Sequence, residues 1–202
     1  MTRSRIYTSG LPPAYPGMTI GLYGGSFNPA HDGHRHVALT SLKRLGLDRI
    51  WCLVTPGNPL KDVSKLPSLA TRMSGTANLM DHPRIDITGA EENAGTRFTA
   101  ETLDWILART PAIRFVWIMG ADNLKQFHHW QRWQSILHRI PVAIIDRPGY
   151  SLSPLYATAA QHFAQARIPD HRAGTLAMMN CPAWTFLYGP RSDLSSTALR
   201  QS

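Results

Sequence analysis

Cysteine is nearly absent from this 202-residue chain: Cys52 and Cys181 are the only two, too few for a disulfide framework. Cys52 lies inside the apolar run Ile50 to Val54 and is expected in the core, as a reduced thiol. No stretch approaches about eighteen uninterrupted apolar residues, so no membrane span is expected. The segment Met1 to Gly17 has Arg3 and Arg5 but no apolar block before Pro12, Pro13 and Pro16, so it reads as a flexible tail (1–17) rather than a signal peptide. Fifteen glycines and fifteen prolines follow no period, which excludes collagen-like and low-complexity architectures. Acidic residues are scarce, 13 against 21 Lys and Arg, and the resulting +8 favours anionic partners. Phosphorylated small molecules satisfy that preference as well as nucleic acid does. With 43% hydrophobic residues a packed core is expected, most simply in a cytoplasmic protein.

What is present is an alternation of short β-rich runs and helix-compatible segments. Strands are expected at Met18–Tyr23, Arg49–Val54, Arg84–Thr88, Ile113–Met119, Pro141–Asp146 and Trp184–Tyr188. Helices are expected at Gly33–Leu45, Leu66–Met80, Thr99–Ala108, Asn123–Leu137 (with a break) and Pro154–Ala164, and a last one near Ser195. The strands lack strict alternation, as when helices cover both faces of a sheet. This predicts an α/β fold: one domain, 18–202, built on a doubly wound, mostly parallel sheet. Its ligands would sit at the carboxyl ends of the strands.

After the first of these strands comes Gly24-Gly25-Ser26-Phe27-Asn28-Pro29-Ala30-His31-Asp32-Gly33-His34. Small residues there let backbone N–H groups approach an anion, and the following helix adds its positive end. Tyr23 and Ser26 break the dinucleotide fingerprint, and no lysine stands where a Walker A loop needs one. His31 and His34 are three apart at a helix start, so both rings can face one anion; a plain helix cap with two solvated histidines is the alternative. Near the other end, Leu194-Ser195-Ser196-Thr197-Ala198-Leu199-Arg200 offers hydroxyls and a cation at a second helix start, or a routine cap. Two such starts in one small sheet protein point to a polyphosphate substrate.

Together these segments resemble the nucleotidyltransferases with an H-x-G-H motif and a closing I-S-S-T-x-x-R motif, and among them the bacterial nicotinate-nucleotide adenylyltransferase family. Supporting pieces are Thr55-Pro56-Gly57-Asn58-Pro59-Leu60-Lys61, Phe98-Thr99-Ala100-Glu101-Thr102-Leu103, Met119-Gly120-Ala121-Asp122-Asn123, Phe127-His128-His129-Trp130 and Arg147-Pro148-Gly149-Tyr150, in the family's order. Leu194 stands for the usual isoleucine and Phe98 for a frequent tyrosine. The resemblance implies a Rossmann-like nucleotidyltransferase fold and transfer of the adenylyl group of ATP to nicotinate mononucleotide, with Mg²⁺ accompanying ATP. It implies ATP contacts from Gly24, Gly25, Ser26 and Phe27, a loop lying against both nucleotides, and ATP-phosphate contacts from His31, His34, Ser195, Ser196, Thr197 and Arg200, with His31, His34 and Arg200 catalytic. Gly120 and Asp122 would contact ribose or adenosine, although Asp122 also suits a helix start. Asn58, Lys61, Phe98, Thr99, Ala100, Trp130, Gln131 and Arg147 would hold the acceptor.

Other features read more plainly. His36, His82, His138, His162 and His171 match no motif, and His31-x-x-His34-x-His36 lacks the cysteine or distant pair of a zinc site. Lys43 and Arg44 suit a solvated helix face, and Trp105, Trp117, Trp133 and Trp184 suit a core or an interface, so a homo-oligomer is compatible with the chain. Rival readings are an adenylyltransferase acting on nicotinamide mononucleotide or phosphopantetheine, and a basic nucleic-acid-binding module. The dispersed charge argues against the last.

Overall fold

The structure, a computed structural model, describes residues 3–57, 66–146 and 153–188. Eight strands form one sheet: β1 (Arg5–Tyr7), β2 (Thr19–Gly25), β3 (Arg49–Val54), β4 (Ile85–Thr88), β5 (Arg114–Gly120), β6 (Val142–Ile145), β7 (Arg167–Ile168) and β8 (Trp184–Leu187). Their order is β1-β4-β3-β2-β5-β6-β8-β7, and every neighbouring pair runs parallel. The helices are α1 (Asp32–Arg44), α2 (Leu69–Met80), α3 (Ala90–Ala94), α4 (Thr99–Arg109), α5 (Ala121–Gln126), α6 (Trp133–Arg139) and α7 (Thr158–His162).

The strands show why simple alternation failed as a signal. In β3, Ile50, Cys52 and Val54 point into one apolar cluster, with Val37, Leu42 and Met73 from α1 and α2. Trp51 and Leu53 point into the other, with Leu103, Leu124 and Ile136 from α4, α5 and α6. Successive side chains face opposite sides of a sheet, so a strand covered on both sides must be apolar throughout. The expected doubly wound α/β architecture is therefore the one observed, and Cys52 is fully buried.

The strand order reverses between β2 and β5, with all strands still parallel. From β2 the sheet grows outward through β3, and from β5 it grows the other way through β6. These two strands pair from Thr19 opposite Arg114 to Tyr23 opposite Ile118. Their carboxyl ends thus emerge side by side, opening the crevice where parallel α/β sheets bind ligands.

The flexible tail is a correction. Arg5–Tyr7 pair with Asp86–Thr88 of β4 at the sheet edge. The segment is further tied by Ser4 Oγ donating to the His82 carbonyl at 3.2 Å and Thr88 Oγ1 donating to the Gly10 carbonyl at 3.0 Å. Leu11 and Ala14 pack on the α4 face of the core. A three-residue strand carries almost no periodic signal; what selects it is the row of backbone groups along the outer edge of β4. The expected Asn123–Leu137 helix divides into α5, a 3₁₀ turn at Phe127–His129 and α6, with Arg132 in the left-handed region (φ 53°). Residues 168–182, for which no helix or strand is expected, hold β7's end and a 3₁₀ run, Asp170–Met178, whose Ala173 and Leu176 enter the core.

Candidate active site

The chain leaves β2 through Gly24 and Gly25, its last two residues. Gly24 packs on the indole of Trp117: a Cβ there would come within 2.6 Å of Trp117 Cη2, so only glycine fits. The same Trp117 meets Trp130 edge-on, with ring centroids 6.4 Å apart. One buried tryptophan therefore joins the end of β2 to the Trp130 segment. Phe27 follows with φ of 46°, an uncommon conformation for a bulky residue. Its ring is buried, edge-on to Tyr23 (5.5 Å) and 5.0 Å from the ring of His34. Phe27 can therefore serve a ligand only through its backbone.

His31 is the N-cap of α1 and His34 its third residue, and they cap the helix reciprocally. His31 Nδ1 accepts from the Gly33 N–H (3.1 Å), and His34 Nδ1 accepts from the His31 N–H (3.2 Å). The two rings lie 4.0 Å apart. An Nδ1 that accepts a hydrogen bond puts the proton of a neutral ring on Nε2. Each Nε2–H is thus a donor of defined tautomer, beside the positive end of a 13-residue helix. The cap reading and the anion reading of this pair are the same geometry.

At the neighbouring strand end, Gly120 is the N-cap of α5 and Asp122 lies in its first turn. Across the sheet, α4 starts at Thr99 behind Phe98 with no side-chain cap, and its first backbone bond is from the Glu101 N–H to the Phe98 carbonyl. The N–H groups of Thr99 and Ala100 precede that bond, and Ala100 is buried, which leaves it a backbone role. Arg132, next to the exposed Gln131, reaches Asp104 of α4 at 3.2 Å, holding the Trp130–Arg132 turn beside α4. Asn58, Lys61, Arg147, Ser195, Ser196, Thr197 and Arg200, with the helix expected from Ser195, lie outside the described residues.

Two residues here escaped the sequence reading. Arg72 of α2 is 4% exposed and bonds to the carbonyls of Ser26, Thr55, Pro56 and Pro67. Burial lowers its pKa from the ordinary arginine value. The available signal was an arginine on the stripe of Leu69, Met73, Thr76 and Met80, an apolar helix face. Glu91 of α3 is buried; it accepts from Thr102 Oγ1 (3.1 Å) and sits by the Thr55 hydroxyl. Burial pushes its carboxyl pKa up, and the two hydroxyls offset part of that. With α3 unrecognised, nothing in the sequence marked this carboxylate as internal.

A parallel sheet with helix starts and a two-histidine cap where its strand order reverses defines a doubly wound α/β protein. Residues 22–202 match the cytidylyltransferase-like family model, and the chain belongs to that family. Within it, the chain is 60% identical to a probable nicotinate-nucleotide adenylyltransferase of Methylorubrum extorquens, over 91% of this chain and 99% of that one. It is 54% identical to a protein of the same description from Agrobacterium fabrum, over 92% and 99%. The fold also matches the solved nicotinic acid mononucleotide adenylyltransferase of Plasmodium falciparum at a TM-score of 0.67, with 16% identity over 91% of this chain and 83% of that one.

Proposed function

We propose that this enzyme transfers the adenylyl group of ATP to nicotinate mononucleotide, giving deamido-NAD and pyrophosphate. The observation that carries the reading is the reciprocal His31–His34 cap where the strand order reverses, in which each Nδ1 accepts a backbone N–H and so orients its ring. Its relatives' descriptions name the acceptor.

The mononucleotide phosphate oxygen forms a bond to the α-phosphorus in line while the α–β anhydride bond breaks. That oxygen is already anionic near neutral pH, so no general base is required. The protein must align two polyanions and stabilise the charge that moves onto pyrophosphate. His31 and His34 would donate to the ATP phosphates, His34 nearest the α-phosphate. By their place in the closing motif, Ser195, Ser196, Thr197 and Arg200 would bind the β- and γ-phosphates, Arg200 with a delocalised charge. Mg²⁺ would arrive with ATP as part of the substrate, held mainly by phosphates and water. Asn58 and Lys61 would face the acceptor phosphate, Arg147 would contact the acceptor, and Trp130 would lie against the pyridine ring.

Acceptor choice tests this. The uncapped start of α4 gives N–H donors and a positive dipole where the pyridine carboxylate would lie. A carboxylate presents only acceptors, whereas an amide's NH₂ opposes some donors and leaves them unpaired, at about 1–3 kcal/mol. Nicotinate mononucleotide should exceed nicotinamide mononucleotide roughly 10- to 100-fold in kcat/KM at saturating Mg-ATP. Equal values, or a preference for the amide, would remove the nicotinate assignment and leave adenylyl transfer in place.

A further inference from the structure

We propose that Arg72 is a positioning residue for transfer: it locks the loop that binds ATP phosphates to the loop that leads to the acceptor phosphate, so that the two substrates meet in line. The inference rests on the adenylyl-transfer reading. Arg72 Nη1 donates to the carbonyls of Ser26 (2.9 Å) and Thr55 (2.7 Å), Nη2 to that of Pro56 (3.2 Å) and Nε to that of Pro67 (3.0 Å). Ser26 belongs to the loop after β2 that runs into His31. Thr55 and Pro56 begin the connection after β3, and Pro67 ends it just before α2. The chain continues from Pro56 directly into Asn58 and Lys61, the acceptor-phosphate candidates.

Among the described residues no carboxylate is hydrogen-bonded to this guanidinium, and the bonds it makes there go to backbone that shapes the crevice. An arginine confined to an ion pair would stabilise the fold at one place; this one spans the exits of two neighbouring strands. The planar guanidinium offers five donors in a fixed fork, which lets one side chain fix three separate pieces of chain. Lysine places its three donors on one atom and cannot span them. Glu91 braces the same region from the other side, next to the Thr55 hydroxyl and bonded to Thr102 of α4. In-line attack needs reacting atoms about 3–3.5 Å apart, and a misplacement near 1 Å can cost about a hundredfold. Each loop can still hold its own ligand when the lock is lost. What suffers is their mutual register.

The test compares wild type with Arg72→Lys and Arg72→Gln in three measurements: thermal midpoint, calorimetric Kd for Mg-ATP alone, and single-turnover adenylyl transfer with both substrates saturating. The expected result for a folded variant is an ATP Kd within about threefold of wild type and a single-turnover rate at least about tenfold lower, the lysine variant restoring little. A rate within about threefold of wild type overturns the proposal. So does ATP affinity lost in proportion to rate, which would make Arg72 part of the ATP loop alone. Failure of both variants to fold would make it a stability element and also overturns it. Wild type assayed in parallel separates the two readings: absence of pyrophosphate release from ATP and nicotinate mononucleotide rejects the function itself.

Discussion

His31 and His34 illustrate how one side chain can hold a helix and serve a phosphate. Each uses Nδ1 to accept a backbone N–H at the start of α1, which orients the ring and leaves the proton on Nε2. Capping uses one edge of each imidazole, and the proposed phosphate contact would use the other. Replacing His34 by alanine removes one capping bond and one preoriented donor. The donor matters more: its loss should lower kcat by roughly a hundredfold or more, about 3 kcal/mol of transition-state stabilisation. The thermal midpoint should fall by only a few degrees, about 1 kcal/mol for a lost cap. Steady-state pyrophosphate release together with a melting curve checks both, and normal turnover by a folded His34→Ala protein would refute the assignment. Phe27 teaches the complementary lesson: its ring is committed to Tyr23 and His34, so only its backbone remains for a nucleotide.

At the scale of elements, α3 and β1 decide local stability. Glu91 of α3 is buried, and burial raises its carboxyl pKa above the usual 4.5. In the unfolded chain the group ionises near its usual value while the native protein still holds the proton. Native stability from this group therefore falls as pH rises above about 4.5, then levels once the native carboxyl has also ionised. Glu91→Gln removes that ionisation and keeps similar bulk. The midpoint difference, variant minus wild type, should become more positive from pH 4.5 towards pH 8; a trend of the opposite sign in fluorescence melts would refute the buried neutral acid. β1 closes the outer edge of β4 through Arg5–Tyr7, and Ser4 and Thr8 add bonds to His82 and Asn93. Deleting residues 1–8 should cost about 1–2 kcal/mol and lower the midpoint by about 2–8 °C. Turnover per folded molecule should hold, because β4 and β3 separate β1 from β2. A shortened protein that melts like wild type would show that the edge strand adds nothing.

For the whole molecule, the sheet order is what brings separate motifs side by side. β2 and β5 are far apart in sequence yet adjacent in the sheet, and their exits carry the Gly24–Phe27 loop and Gly120–Asp122. Trp117 of β5 lies under Gly24 and against Trp130, linking the phosphate loop to the proposed pyridine side. The net charge of +8 suits two anionic substrates, and among the described residues no helix is long and apolar enough to cross a membrane.

Local patterns were legible wherever the physics is local. The apolar run Ile50–Val54 reads as a strand covered on both faces, and it lies within β3. Histidines three apart before a helical segment could be read as converging, since helix geometry sets that spacing. Tertiary packing decided the rest. The β1 segment became a strand because β4 offered an unpaired edge, a property of another part of the chain. Arg72 and Glu91 became internal because the α2 and α3 faces that carry them turn toward the strand exits. Polar groups at such positions are stable only when distant carbonyls and hydroxyls complete their hydrogen bonds. Those partners, Ser26, Thr55 and Pro56 for one and Thr102 for the other, stand up to 46 residues away in sequence, and only the folded sheet brings them within reach.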